Sequence, residues 1–314
     1  MIPAMPSTRD YILTEVKEMH SCLMRCDAIH KEDGKAVTVT QYCPWRFRSE
    51  DGKYIEIQED RWEEYCKGKQ RVLERLQQLD AYNESAFLPK LLDTFEQDGL
   101  LYFVTERIEG CSLRQYIEKN GAIPLEQLWP LLDPIVQGLK RMHEKGDWHH
   151  DLTAFSLRVH DGKIKLLYDV GRIEEELWWD YLYHYASFSE SDLPYRHANP
   201  CFAPEQLIGQ QANSRFHMPG CNIYNLAAVI DYCITGQLPP RALDRVLSDE
   251  LVPPRRLGAV LSKDEETVLL KALEASPRER KCRSQSLDEF WRELTEPRTR
   301  QEKKKKGFRF LWWK

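Results

Sequence analysis

Short apolar runs separated by Asp-Gly dipeptides constrain the fold of this chain more than any other feature. Asp33-Gly34 lies between CLMRCDAIH and AVTVTQY, and Asp98-Gly99 lies between KLLDTFEQ and LLYFVTERI. Asp-Gly between runs rich in β-branched and aromatic residues is typical of a tight β-hairpin, because both turn positions accept a positive φ. A third such dipeptide occurs in RVHDGKIKLL. The first half of the chain is therefore predicted to contain antiparallel hairpins.

Helical periodicity dominates the second half of the chain. One helix is already predicted before the second hairpin, because EEYCKGKQRVLERLQQL places apolar residues three and four positions apart. LEQLWPLLDPIVQGLKRMHEKG predicts a long amphipathic helix ended by Gly146, and further helices are predicted in NLAAVIDYCITG, EETVLLKALEA and SLDEFWREL. A strand-rich part joined to a helix-rich part near residues 106–112 predicts an α+β architecture of two lobes with a cleft between them.

The composition is that of an ordinary globular protein. The 314 residues are 42% hydrophobic and carry a net charge of -5, so no nucleic-acid partner is expected. No run approaches the roughly 18 apolar residues of a spanning helix, and MIPAMPSTRDYILTEV lacks the apolar core of a signal sequence. Nine cysteines without paired CxxC spacing are interpreted as reduced thiols. We therefore expect a cytoplasmic protein.

Three short motifs follow one another at informative spacing: HHD at 149–151, DVG at 169–171 and APE at 203–205. Together with FVTERIEGCSL before them and SPRERKCRSQS after them, they resemble the catalytic-loop, Asp-Phe-Gly and Ala-Pro-Glu motifs of a bacterial-type serine/threonine protein kinase domain. The resemblance implies a bilobal protein-kinase-like fold of the α+β class. A small antiparallel-sheet N-lobe with one main helix would precede a larger, mainly helical C-lobe.

The resemblance also implies a division of the chain. We assign 1–10 to an N-terminal lead, 11–105 to the N-lobe, 106–295 to the hinge and C-lobe, and 296–314 to a basic-aromatic C-terminal tail. Within the C-lobe, Asn222 stands where the family usually has an aspartate.

The two aspartates of the motifs take the positions that carry phosphoryl transfer in the family. Asp151 stands at the position of the catalytic base, and Asp169 and Ser156 stand at the positions that hold magnesium. Serine is a poorer metal ligand than the usual asparagine, and a lone carboxylate is a weak magnesium site. The alternative for Asp151, which we favour, is that it hydrogen-bonds the loop backbone and is retained for folding.

Most residues that bind the phosphates of ATP in this family are replaced. Glu18, His20 and Leu23 take the three glycine positions of the phosphate-binding loop, where backbone amides must approach the phosphates closely. Thr40 takes the position of the phosphate-binding lysine and cannot supply a positive charge. Thr153 stands where a second lysine usually follows the catalytic aspartate.

The positions of the adenine pocket are altered as well. Thr105 corresponds to the gatekeeper, and Glu106 and Ile108 correspond to hinge positions. Arg25 takes the position of the aliphatic roof and Arg158 that of the aliphatic floor. Two guanidinium groups in an apolar slot would cost several kcal/mol unless they were paired or solvated. A one-residue slip in strand register would instead direct either arginine to solvent.

Two further pairings follow from the resemblance. Arg75 takes the position of the helical glutamate that partners the lysine, with Glu74 beside it if the register slips by one. Glu205 is expected to form a buried ion pair with Arg280 or Arg283 that anchors the segment after the activation loop.

These replacements predict a pseudokinase: a protein-binding or allosteric signalling module with little or no phosphotransfer and no bound cofactor. The main alternative is an active serine/threonine protein kinase that binds ATP and magnesium, with Lys17 or Lys35 supplying the missing charge. A third interpretation is a nucleotide-sensing switch that binds ATP without transferring phosphate.

Two aromatic segments bear on partners. Residues 172–202 crowd five tryptophans and tyrosines into WWDYLYHY, which predicts either a surface for a partner protein or a helix packed on its own lobe. Residues Lys303–Lys314, KKKKGFRFLWWK, place four lysines before an aromatic cluster. Such a segment favours peripheral binding to an anionic membrane face. The alternatives are a solvated tail or one that docks on the protein itself.

Overall fold

The computed structural model describes residues 2–3, 8–19, 22–44, 47–49, 54–83, 85–107, 109–168, 170, 200–208, 218–276 and 286–302. The strands within these residues are β1 (Ile2–Pro3), β2 (Tyr11–Met19), β3 (Leu23–His30), β4 (Ala36–Tyr42), β5 (Tyr54–Ile55), β6 (Leu91–Gln97), β7 (Leu100–Glu106), β8 (Cys111–Ser112), β9 (Leu157–His160) and β10 (Lys163–Leu166). The α-helices are α1 (Trp62–Asp80), α2 (Leu113–Asn120), α3 (Leu125–Glu144), α4 (Pro204–Ile208), α5 (Met218–Thr235), α6 (Ala242–Leu247), α7 (Lys263–Ala272) and α8 (Leu287–Glu302).

The chain divides into two compact units. Unit 1 takes its described residues from Met1–Glu109 and Leu167–Ala186, and unit 2 takes its described residues from Gly110–Leu166 and Ser187–Lys314. Unit 1 therefore extends beyond residues 11–105. It also contains the described residues after β7 up to Glu109, and the described residues Leu167, Tyr168 and Val170.

An antiparallel sheet in the order β2-β3-β4-β7-β6 forms the framework of unit 1. The predicted hairpins are confirmed: Gly34, between β3 and β4, has a φ of 69°, and Asp98 and Gly99, between β6 and β7, have φ values of 54° and 78°. β7 is buried from Leu100 to Thr105, as expected for a strand with neighbours on both sides and a helix packed on the sheet.

A glycine allows helix α1 to pack closely against the sheet. Its buried residues recur at helical spacing, and they include Tyr65, Gly68 and Val72. The hydroxyl of Tyr65 donates to the carbonyl oxygen of Tyr42 at the end of β4. A Cβ atom on Gly68 would lie 2.0 Å from the hydroxyl oxygen of Tyr42, so the absence of a side chain at residue 68 permits this close approach.

Unit 2 is built around helix α5, which is buried from Cys221 to Ile234 and packs against α3, α7 and α8. Helix α2 begins with a capping box, in which the Ser112 hydroxyl accepts from the backbone N–H of Gln115 and the Gln115 side chain accepts from the backbone N–H of Ser112. The indole N–H of Trp291 on α8 donates to Asp133 on α3 at 3.0 Å. Strands β8, β9 and β10 form a small separate sheet.

The last described helix is longer than predicted. α8 continues to Glu302, so residues 296–302 are helical, although we assigned them to the tail. Lys303–Lys314 and most of residues 172–202 lie outside the described residues. Within the described part of the chain, no helix combines the length and apolar content needed to cross a bilayer.

Candidate functional site

One face of the five-stranded sheet carries the residues that the resemblance places at nucleotide-binding positions. The antiparallel register pairs them across β3, β4 and β7 in two adjacent rows. The rows are Arg25, Thr40 and Phe103 in one, and Asp27, Thr38 and Thr105 in the other. Directly paired residues project from the same side of an antiparallel sheet. We call this side the threonine face.

Thr40 is buried on this face, with 1% of its surface exposed. Its register neighbour Phe103 contacts the ring of Tyr168 edge-on, with 6.4 Å between ring centroids. The Tyr168 hydroxyl donates to the carbonyl oxygen of Pro89 at 2.8 Å, and burial raises the pKa of this phenol well above its ordinary value. The position at which the family has a phosphate-binding lysine thus holds a neutral hydroxyl beside aromatic rings. Asp169, which follows Tyr168 in the chain, lies outside the described residues.

Arg25 is the cation closest to Thr40 in register. It is half-buried on β3, directly opposite Thr40 on β4 and opposite Glu18 on β2. Arg25 therefore lies on the threonine face, and its assignment to the roof of the adenine pocket stays a prediction. The side chain of Glu18 and all of His20 lie outside the described residues. Leu23, at the third glycine position, is 3% exposed.

The two lysines proposed to replace the missing charge lie in different places. Lys35 pairs with Asp33 at 3.2 Å, and both side chains are exposed at the turn between β3 and β4. Lys17 on β2 contacts Asp27 at 3.5 Å and also pairs with Glu15. Of the two, Lys17 is therefore the one that reaches the threonine face, where it meets a carboxylate.

The gatekeeper and hinge positions follow β7. Thr105 is 5% exposed, and the backbone N–H of Glu106 donates to the carbonyl oxygen of Lys90 at 2.9 Å. Arg107, which the sequence reasoning did not single out, pairs with Asp27 at 3.0 Å. Ile108 lies outside the described residues.

In the family, a glutamate on the main N-lobe helix pairs with the phosphate-binding lysine. The sequence left its position open between Arg75 and Glu74 on α1. Arg75 is 7% exposed and donates from Nη1 to Oε1 of Gln78 at 3.2 Å. Glu74 is exposed and accepts from Gln70. In this helix the buried position thus carries a cation, whereas the family has a carboxylate there.

The catalytic-loop segment in unit 2 is closed by its own hydrogen bonds. The hydroxyl of Ser156 donates to the carbonyl oxygen of Asp151 and accepts from the backbone N–H of Thr153 at 3.0 Å. The Thr153 hydroxyl accepts in turn from the backbone N–H of Ser156 at 3.2 Å. Thr153 and Ser156 are 0% and 5% exposed. The Ser156 oxygen that would ligate a metal is therefore engaged in holding the loop.

Asn222 supports the same loop from α5. Its Oδ1 accepts from the backbone N–H of His149 at 3.2 Å and from Nε2 of His143 at 3.0 Å, while its Nδ2 donates to the carbonyl oxygen of His149. An aspartate could not make the last bond. Burial lowers the pKa of His143, an effect that its bond to Asn222 only partly opposes, so the ring is neutral at pH 7.

The remaining histidine of the motif is bonded to its neighbour. His150 Nδ1 accepts from the indole N–H of Trp148 at 2.7 Å, and the two rings meet edge-on. The backbone N–H of Asp151 donates to Nδ1 of His149 at 3.2 Å. The His-His-Asp segment is thus held both by Asn222 of α5 and by bonds among residues 148–151.

The other predicted positions are separate from this network or outside the described residues. Arg158 on β9 donates from Nη2 to the carbonyl oxygen of Gly110 at 3.0 Å. Glu205 is half-buried on α4. Its predicted partners Arg280 and Arg283 lie outside the described residues, so that ion pair stays a prediction.

Two of these positions differ from the donors with which the family holds ATP and magnesium. Thr40 offers no charge to a phosphate, and the Ser156 hydroxyl is already committed to the loop. Within the described residues, no cluster of three or more histidine, cysteine, aspartate or glutamate side chains could hold a metal ion.

Comparison with known proteins places the chain near protein kinases. A probable serine/threonine-protein kinase of Clostridium perfringens is 24% identical over 193 residues, which are 60% of this chain and 26% of that protein. The serine/threonine-protein kinase PrkC of Bacillus subtilis is 25% identical over 200 residues, 60% of this chain and 28% of that protein. This chain thus spans about a quarter of the length of these relatives. No family model matches it.

The solved structure of PpkA-294 in its apo form superposes with a TM-score of 0.70 at 21% identity, covering 92% of this chain and 99% of that one. The structural similarity supports the fold alone. The sequence matches support the resemblance to serine/threonine kinases. The chain accordingly has a protein-kinase-like fold of the α+β class and resembles a bacterial-type serine/threonine protein kinase domain.

Proposed function

We propose that this kinase-like chain is a pseudokinase that acts by binding another protein, with little or no phosphoryl transfer. The observation that carries the proposal is Thr40, a buried neutral residue at the lysine position. Phosphoryl transfer depends almost entirely on positioning and charge neutralisation, so the loss of this cation removes a large part of what the fold supplies to the reaction.

The catalytic-loop segment supports the same proposal. Ser156 and Thr153 bond each other and the loop backbone, and the backbone N–H of Asp151 is held by His149. These bonds use backbone groups of Asp151, and we infer from the sequence that its side chain is retained for folding and not for catalysis. Asp151→Asn should then leave the binding function intact, whereas loss of a true general base typically lowers a rate by about 10²–10⁴-fold.

The direct test is the melting temperature of the protein with millimolar ATP and magnesium. A ligand that binds the folded state stabilises it by about 2.7 kcal/mol at a hundredfold excess over its dissociation constant. We expect no saturable rise in melting temperature and no transfer of labelled phosphate to protein substrates. Transfer by the wild type that Asp151→Asn abolishes would refute the proposal.

The alternative, an active serine/threonine kinase, is favoured by one observation. Arg25 lies directly opposite Thr40 on the threonine face and would be the relocated phosphate-binding cation. Arg25→Met should abolish any phosphate transfer under this alternative, with Lys35→Met as the control at a remote turn. A nucleotide-sensing switch would instead show a melting shift with ATP, without transfer, that Arg25→Met removes.

The partner class follows from the composition and the two aromatic segments. A net charge of -5 favours a protein over a nucleic acid. We propose that residues 172–202 contribute aromatic side chains to the protein interface. We also propose a cytoplasmic protein that associates peripherally with the inner face of the membrane through Lys303–Lys314.

A further inference from the structure

We propose that Lys17, Asp27 and Arg107 form an ion-pair cluster that closes the base-binding end of the threonine face against nucleotides. The inference rests on the proposed absence of nucleotide binding and gives it a physical cause. The resemblance assigns no role to Asp27 and none to an ion pair between these three residues.

The geometry of the cluster is compact. Nη2 of Arg107 lies 3.0 Å from Oδ2 of Asp27, and Nζ of Lys17 lies 3.5 Å from the same oxygen. The Asp27 side chain is only 10% exposed, whereas those of Lys17 and Arg107 are 43% and 38% exposed. One nearly buried carboxylate is thus covered by two cations that themselves remain in contact with solvent.

The position of the cluster gives it a consequence for ligands. Asp27 lies in the row of Thr38 and Thr105 on the threonine face, and Arg107 follows Thr105 by two residues. In the kinase resemblance, β3 carries the roof of the adenine slot and residues 106–108 form its hinge. The Arg107–Asp27 pair therefore links the strand of the roof to the hinge segment, along the edge where a base would enter.

Two physical effects follow from this arrangement. On this proposal, a planar, largely apolar base that entered between β3 and the hinge segment would separate Arg107 from Asp27 and leave a nearly buried carboxylate without this partner, an unfavourable state. Asp27 and Glu15 also neutralise Lys17, so this lysine offers little net charge to a triphosphate. The cluster thus both ties β3 to the hinge segment and neutralises the cation that an active kinase would need.

The experiment measures binding of trinitrophenyl-ATP, a fluorescent ATP analogue, to the full chain. Asp27→Asn keeps the shape of the side chain and removes its charge, which releases both cations. We expect this variant to bind the probe about tenfold more tightly than the wild type, or better still. Asp33→Asn is the matched control, because Asp33 is also an ion-paired aspartate of unit 1 but lies at the β3–β4 turn. It should bind as the wild type does.

A second readout does not depend on nucleotide. Amide hydrogen exchange in the peptide spanning residues 105–112 should accelerate in Asp27→Asn and in Arg107→Gln, because both variants release the hinge segment from β3. It should stay unchanged in Asp33→Asn. Arg107→Gln should not improve binding of the anionic probe, since Asp27 keeps its charge.

The outcomes separate this inference from the proposed function. If folded Asp27→Asn binds the probe no better than Asp33→Asn, and its hinge peptide exchanges no faster, the cluster does not close the site. If the wild type itself binds ATP with magnesium, the proposed function fails. In that case, tighter binding by Asp27→Asn than by Asp33→Asn would still support the proposed role of the cluster. Equal binding by the two variants would refute it.

Discussion

Asp231 on α5 is a carboxyl group whose surroundings oppose its charge. It is 1% exposed, and its Oδ1 atom is buried with no hydrogen-bond partner among the described residues. Burial raises its pKa from 3.8 to about 7, although the nearby Arg245 acts in the opposite direction. Arg245 makes its own short contacts elsewhere, from Nε to Asp249 at 2.8 Å and from Nη1 to the Tyr224 hydroxyl at 3.0 Å.

This pKa gives the protein a specific pH dependence. Between pH 3.8 and about 7 the folded state binds a proton at Asp231 that the unfolded state has released. Stability therefore falls as pH rises through this window and stays low above it. Asp231→Asn should raise the unfolding free energy by about 1–3 kcal/mol at pH 8 and by less at pH 5, where only the lower part of this window has been crossed. Urea unfolding at both pH values measures this. A variant no more stable than wild type at pH 8 would contradict it.

Asp249 provides a control of opposite sign. Its bond to Arg245 lowers its pKa, so its contribution to stability is present above the unfolded value and is lost as pH falls below it. The Arg245 side chain is 2% exposed. Asp249→Asn should therefore destabilise the protein at pH 8, in the same assay in which Asp231→Asn stabilises it.

Asn222 makes a prediction that runs against the family pattern. Asn222→Asp installs the residue usual in kinases, but it removes the donor to the His149 carbonyl and adds a buried charge. We expect a loss of about 1–3 kcal/mol at pH 8. The loss should be smaller at pH 5.5, because a carboxylate raises the pKa of His143 and the resulting pair exists only while that ring is protonated. Equal losses at both pH values would show that His143 does not sense residue 222.

At the scale of elements, the hairpins and helices could be predicted because their signals are local. Asp33-Gly34 and Asp98-Gly99 fix turns through their own backbone angles, and α1 follows from apolar spacing within one segment. The end of α8 could not be predicted, because residues 296–302 carry no strong apolar periodicity and their helix continues from the packed part before them. The close approach of Gly68 to the Tyr42 side chain could not be predicted from the sequence either, because it joins two elements that are distant in the chain.

A substitution at Gly68 tests whether α1 needs a residue without a side chain to pack on the sheet. Alanine is favoured over glycine in a helix interior by up to about 1 kcal/mol. A Cβ at residue 68 would nevertheless lie 2.0 Å from the Tyr42 hydroxyl oxygen, and Tyr42 is fully buried. Gly68→Ala should therefore cost about 1–3 kcal/mol in chemical unfolding. In α5, Gly220 has no atom within 4 Å of its would-be Cβ, so Gly220→Ala should be neutral or stabilising. When Gly68→Ala is combined with Tyr42→Phe, which removes the hydroxyl oxygen, part of the lost unfolding free energy should return. If Gly68→Ala costs as much in the Tyr42→Phe protein as in the wild type, the clash is not with this hydroxyl.

For the whole molecule, the sequence predicted the fold better than it predicted which residues pair with one another. Thr40, Thr105 and Arg25 share one sheet face, and their roles at a nucleotide site stay predictions. The pairing of Arg107 with Asp27 could not be read from the sequence, because ion pairs between distant segments have no periodic signal. Lys17 was one of two lysines that would supply the missing charge under the alternative function, and Asp27 and Glu15 neutralise it.

The last prediction concerns Lys303–Lys314, which lies outside the described residues and is argued from its sequence. The lysines contribute on the order of 1 kcal/mol each near an anionic surface, and salt screens this attraction. The aromatic residues add burial of apolar area at the interface, which salt hardly weakens. Full-length protein should therefore sediment with anionic liposomes more than with neutral ones, and high salt should reduce sedimentation only in part.

Variants separate the two contributions. Replacing lysines 303–306 by glutamine should remove the preference for anionic vesicles, while Trp312→Ala with Trp313→Ala should leave binding that high salt abolishes. Removal of the residues after Glu302 should abolish sedimentation, because it removes the lysines and the aromatic cluster together and keeps every described residue of α8. A truncated protein that sediments as well as the full chain would show that the membrane contact, if there is one, lies elsewhere in the molecule.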